Sequence, residues 1–141
     1  MANKRVTPEV LLRSEQTDGA ASIIEIVAPA EWDGPPLHHH DFDEAFRLLE
    51  GTLTFQVGDE VFTRSAGEFT FIPRGIPHAV ANLSPEPARY LLTCTPGGFE
   101  RMFDRLVAES RAEPVPEEAL KPYLETVFVG TTIGEYLGVV A

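Results

Sequence analysis

The chain has 141 residues, 43% of them hydrophobic, and a formal net charge of −11 from 22 acidic and 11 basic residues. That apolar content suffices for one ordinary core and sets aside disordered and fibrous classes. The acid excess removes the basic footprint that nucleic acid or an anionic membrane surface requires.

No apolar run approaches the roughly 20 residues of a membrane-spanning helix, and Met1–Val6 carries charge without the apolar centre of a signal peptide. A cytoplasmic protein is the expectation. The single cysteine, Cys94, excludes an internal disulfide and any multi-cysteine metal site. It lies in an apolar, strand-like run with no cationic neighbour in sequence, so it reads as a packing residue.

Residues 1–21 are mixed and polar and receive no firm structure. Ser22–Ala28, rich in β-branched residues and stopped by Pro29, reads as a strand. Residues 30–36 then connect, containing the only tryptophan, Trp32, and a Gly-Pro-Pro breaker. Short strands follow at Glu44–Leu49, Thr52–Val57, Glu60–Arg64, Phe69–Ile72, Ala79–Asn82 and Arg89–Thr95, separated by glycine- and proline-rich breaks. Gly58-Asp59 suits a two-residue hairpin. Leu53, Phe55 and Val57 alternate with Thr52, Thr54 and Gln56, which predicts one buried face. Many short strands without intervening helices indicate an all-β sandwich or barrel.

From Phe99 to Arg111 the period changes: Phe99, Met102, Phe103, Leu106 and Val107 make the stripe of an amphipathic helix packed on the outside of the barrel. Pro114 and Pro116 end it, and a second short helix is expected from Glu117 toward Leu124. Val127–Val129 reads as a last strand or a docked extended segment. The apolar tail to Ala141 is expected to be tied down or to join a subunit interface.

All four histidines fall in two stretches, residues 34–51 and 67–82. Strand parity puts His38 and His40 on one face and turns His39 away. Glu44 shares the parity of His40, yet a straight strand would carry it roughly 13 Å further, at about 3.3 Å per residue. Asp41-Phe42-Asp43 must therefore bend the chain so that Glu44 starts an adjacent strand and returns toward the histidines. Imidazole nitrogens and a carboxylate oxygen then form part of the donor set for a first-row metal. Alone, His78 reads as a core histidine.

The joint pattern is His38-x-His40, Glu44 and Gly51, then Gly67, Pro73-x-Gly75, His78 and Asn82. It resembles the two-part signature of the cupin superfamily, although Gly34 stands closer to the first histidine than the family's usual glycine. The resemblance implies an all-β, double-stranded β-helix (jelly-roll) barrel at about residues 22–95, with a helical extension at about 97–125, in a single domain over residues 1–141. It implies one divalent transition metal (iron, manganese, nickel or zinc) held by His38, His40, Glu44 and His78, with Glu44 able to act as a catalytic base if it detaches. Cupins are often homodimers, and the same is expected here.

Phe46, Leu48, Leu53, Phe55, Phe69, Phe71 and Val80 are the inward candidates for core and pocket wall. Small cupins with this motif and a C-terminal helix look like the quercetin 2,3-dioxygenase-like group, which implies a dioxygenase acting on a small enolic or aromatic substrate with dioxygen. The alternatives are a non-oxidative isomerase, cyclase or lyase, and a binding module without catalysis. No basic cluster suits a nucleotide diphosphate, so a sugar epimerase ranks low.

Overall fold

The computed structural model describes residues 4–139. Met1–Asn3 and the last two residues of the tail, Val140 and Ala141, lie outside the described residues, together with what the sequence suggests for them. Among the described residues ten strands form two five-stranded antiparallel sheets. The strands are β1 (Thr7–Leu12), β2 (Ser22–Ala28), β3 (His38–His39), β4 (Asp43–Glu50), β5 (Thr52–Val57), β6 (Glu60–Ser65), β7 (Phe69–Ile72), β8 (His78–Ala81), β9 (Ala88–Thr95) and β10 (Val127–Phe128). One sheet has the order β1-β2-β9-β4-β7, the other β10-β3-β8-β5-β6.

The period of two decides what each strand buries. Ile24 and Ile26 of β2, Phe46 and Leu48 of β4, and Tyr90, Leu92 and Cys94 of β9 turn to the same interior. Register lines them up, with Phe46 opposite Leu92 and Leu48 opposite Tyr90. From the other sheet Leu53, Phe55 and Val80 complete the core. Val57 and Glu60 close the expected two-residue hairpin, with Gly58 at φ +60°.

Four features depart from the sequence reading. Thr7–Leu12, inside the segment left without structure, is an edge strand paired with β2, and a short 3-10 turn follows at Ser14–Thr17. The expected inward positions Phe69 and Phe71 are 53% and 54% exposed; Thr70 and Ile72 turn inward instead. The cause is register: opposite residues share a face, and Thr70 and Ile72 face the inward Phe46 and Glu44. In β5 both faces are covered, since Thr54 and Gln56 are buried as well. The second short helix is only a 3-10 turn, Glu117–Leu120.

The C-terminal chain covers the second sheet. β10 adds beside β3, and the short helix α2 (Ile133–Leu137) follows α1 (Glu100–Ser110) in the chain. Ile133 of α2 packs fully buried on Ala79 and Ala81, whose small side chains leave room on the outer face of β8. Helix α1 is anchored by Glu100, whose buried carboxylate accepts hydrogen bonds from Ser14 N (2.7 Å), Gly98 N (2.8 Å) and Ser22 Oγ. Those bonds outweigh the effect of burial and hold the Glu100 carboxyl below its ordinary range.

At Gly34 the backbone has φ +71°, and an added Cβ would lie 1.7 Å from the Val80 carbonyl oxygen. Gly34→Ala is expected to destabilise the fold by about 2–5 kcal/mol, measured as a lower urea midpoint at unchanged slope. Glu100→Ala leaves buried donors without acceptors, and a loss of about 3 kcal/mol or more is expected in the same assay.

Candidate metal centre

The two histidine stretches are locked to each other before any ligand is considered. In the turn preceding β8, Gly75 N donates to the His40 carbonyl at 2.8 Å, and Arg74 N donates to Asp43 Oδ1 at 2.8 Å. The Arg74 guanidinium also pairs with Asp43, Nη2 to Oδ2 at 3.1 Å, and the guanidinium holds that carboxyl below its usual range. These contacts fix the bend that turns the chain into β4, whose second residue is Glu44.

His38 pairs directly with His78 across β3 and β8, and Glu44 stands on β4 in the other sheet. One ligand atom from each of His38, His40, Glu44 and His78 lies within 4.8 Å of all the others, and all four residues are buried. His39 has the opposite parity, pairs with Val127 and is not in the cluster. Phe42, fully buried in the bend, stacks on the His40 ring at 3.7 Å and 3° and fixes its plane.

Hydrogen bonding determines which nitrogen each ring offers. His38 Nδ1 meets the Pro36 carbonyl at 2.8 Å, His78 Nδ1 the Ile76 carbonyl at 2.8 Å, and His40 Nδ1 the Phe42 carbonyl at 3.2 Å. A carbonyl only accepts, so all three Nδ1 atoms carry hydrogen and all three Nε2 lone pairs point into the cluster. There they meet another acceptor: His78 Nε2 is 3.0 Å from Glu44 Oε1, and His40 Nε2 is also in contact with that oxygen. His40 Nε2 is buried with no hydrogen-bond partner of acceptable geometry. Acceptors facing one another need positive charge between them, supplied by protons on the imidazoles or by a cation. The donor set of three imidazoles and one carboxylate, each imidazole braced through its other nitrogen, suits a divalent transition metal.

Electrostatics agree with that requirement. Burial above all, then the neighbouring His78, lowers His38 to about 4, so its imidazole is neutral at pH 7. Burial alone would raise Glu44; when the His40 and His78 imidazoles carry protons, their hydrogen bonds and charge outweigh it and hold the carboxyl at about 2. A neutral imidazole and an ionised carboxylate are the ligating forms.

Beside the cluster lies a cavity of about 270 Å³ whose lining includes His38, Glu44 and His78. Phe46 and Val80, expected inward, are on its wall. So are residues that the sequence reading left without a site role: Trp32, Tyr90, Leu92, and Phe99, Met102, Phe103 and Leu106 at the start of and along α1. Part of the helix stripe assigned to outside packing thus closes the cavity. For Tyr90 and Leu92 the signal was present in sequence, since they share the strand parity of Cys94. Burial, and then the Glu44 charge, raises the Tyr90 phenol, and no protein group hydrogen-bonds to its hydroxyl among the described residues. Burial likewise pushes the Cys94 thiol well up, as expected of a packing cysteine.

The cupin-domain family matches residues 23–94, just over half of the 141-residue chain. The chain belongs to the cupin family. Solved structures share the fold over about two thirds of the chain. A protein from Thermus thermophilus is 25% identical over 65% of this cupin and 84% of its own chain, with a TM-score of 0.57. An RmlC-like cupin family protein with a double-stranded β-helix fold from Methanocaldococcus jannaschii is 16% identical over 68% and 84%, with a TM-score of 0.57. DMSP lyase DddQ from Ruegeria pomeroyi is 23% identical over 64% of this chain and 47% of that one, at a TM-score of 0.56. No curated protein sequence matches the chain. Among the described residues no helix is long and apolar enough to cross a membrane.

Metal analysis of protein purified without a histidine tag is expected to give about one equivalent in wild type and His39→Ala, with affinity at least about 100-fold weaker in His78→Ala. In metal-free protein, His38 contributes stability above about pH 6.5 that is lost as pH falls toward about 4. Glu44 contributes stability above about pH 4.5 that is lost toward about 2. Urea midpoints of chelator-treated protein are therefore expected to be level between about pH 7 and 8 and to fall through both windows below that, with His38→Leu flattening the first.

Proposed function

We propose that His38, His40, Glu44 and His78 hold one divalent transition metal (iron, manganese, nickel or zinc) and that this cupin is a dioxygenase-type enzyme for a small enolic or aromatic substrate. The observation that carries the reading is the convergence of four buried acceptors, three of which, His38, Glu44 and His78, form the floor of an apolar cavity. A metal bound there would supply Lewis-acid polarisation or dioxygen activation at its remaining positions.

The chain's own residues do the rest. Phe46, Val80 and Leu92 offer a ring-sized apolar wall, while Phe99 and Met102 from the α1 region exclude water. Glu44 is the group placed to take a proton from substrate. A carboxylate is a weak base, so it suits an acidic hydroxyl, as in an enol or catechol, better than an aliphatic alcohol.

A second reading, a non-oxidative lyase or isomerase, is supported by Tyr90. A neutral phenol on the cavity wall, free of protein partners among the described residues, can donate a hydrogen bond to a substrate oxygen on which charge develops in an elimination or isomerisation. The reading also includes a cytoplasmic homodimer; Phe69 and Phe71, half-exposed on the same face of edge strand β7, support a contact between copies.

The deciding experiment is oxygen uptake by metal-reconstituted protein with a panel of enols and catechols. Uptake in wild type, reduced at least about 100-fold in His78→Ala, is expected. No uptake across the panel, with turnover under nitrogen, would replace the dioxygenase with the second reading.

A further inference from the structure

Charge is distributed unevenly around the cavity. The buried His38, Glu44 and His78 form its floor, its walls are mostly apolar, and two exposed cations, Lys4 and Arg5, stand on its rim. In a chain with 11 basic residues and a net charge of −11, two sequence-adjacent cations line this one apolar opening.

Neither is committed to a strong internal partner. Lys4 Nζ donates to the Ala30 carbonyl at 2.7 Å and lies 3.7 Å from Glu31. Arg5 Nη1 is 3.9 Å from Glu109, and its guanidinium donates no hydrogen bond among the described residues. Both acidic partners are 71% exposed, so these pairs are weak and yield readily to a better-placed anion. Arg13 shows the contrasting use of an arginine in this fold, forking onto Asp104 at 2.6 and 3.2 Å.

We propose that the cavity takes a small aromatic acid, its carboxylate bound by Lys4 and Arg5 at the rim and its ring inside against Phe46, Tyr90 and Phe99. This rests on the cavity being the substrate site and names the substrate class for it. The volume of about 270 Å³ lies below the roughly 300–1,000 Å³ of sites for drug-sized molecules, which restricts the ligand to a single ring with a short arm. A guanidinium fork with free donors matches a carboxylate in two bonds, and the ammonium adds a point charge beside it. With the anion held outside, the ring end of the ligand is directed to the floor.

Trp32, the only tryptophan, lines this cavity and reports on it directly. Metal-loaded, full-length protein is titrated with 3-phenylpropionate and with its neutral amide, followed by Trp32 fluorescence and calorimetry, in wild type and in the Lys4→Gln/Arg5→Gln variant. The acid is expected to bind about tenfold more tightly than the amide in wild type, a preference that shrinks toward equality in the double variant. Equal affinities in wild type, or no saturable response to the acid, would overturn the proposal. So would a preference that survives in the double variant, because the carboxylate would then be read at the histidine floor. These affinities do not depend on turnover, so failure of the oxygenase reading leaves the result intact.

Discussion

Three imidazole lone pairs and a carboxylate aimed at one another in a buried space are the constraint on which this structure turns. Each imidazole has committed its Nδ1 hydrogen to a backbone carbonyl, so none can satisfy the carboxylate without gaining a proton or sharing a cation. A buried carboxylate left without a positive partner costs several kcal/mol, far more than a surface ion pair recovers. The carbonyl braces thus do two things at once. They fix the tautomer of every ring, and they create a demand for positive charge that the protein alone meets only by protonating its own histidines.

The barrel is built so that no single element carries the cluster. His38 and His78 come from neighbouring strands of one sheet, Glu44 from the other, and His40 from the turn between them. The turn is held by Asp43, Arg74 and Gly75, which join the first histidine stretch to the second. Asn82, part of the same signature, has a different task. Its side-chain amide donates to the Pro29 and Glu86 carbonyls and its oxygen accepts from Ser84, tying together the loops on either side of the strand end. Some signature residues therefore position ligands without touching them.

The roof of the cavity depends on a second buried carboxylate. Glu100 draws the 3-10 turn after β1, the start of β2 and the first turn of α1 onto one acceptor. Unlike Glu44 it is satisfied by neutral donors, and so it serves as a structural anchor. By fixing the N-terminal strand and the helix together it brings the chain around Lys4 and the stripe from Phe99 to Leu106 to one opening. Glu44 and Glu100 are both buried acids, and they differ in whether the side chains and amides around them accept or donate.

Much of the fold was legible in residue order. Ser22–Ala28 and Thr52–Val57 form strands at the predicted bounds, because alternation and turn residues are local properties. The bend before Glu44 was required by strand length alone. Local pattern misled where two sheets, or a sheet and a tail, meet. Phe69 and Phe71 look like core by composition, yet pairing with β4 turns them out; Thr54 and Gln56 look like a solvent face, yet both are buried. The pairing of histidine stretches, the parity separating His39 from its neighbours, and the family all followed from spacing, since a period of two and a turn every few residues are written along the chain. Which nitrogen each histidine presents, that Tyr90 and Trp32 share a wall with Phe99, and that Lys4 and Arg5 stand above it were decided only in three dimensions. These are relations between residues tens of positions apart, set by register and helix docking, and no local pattern encodes them.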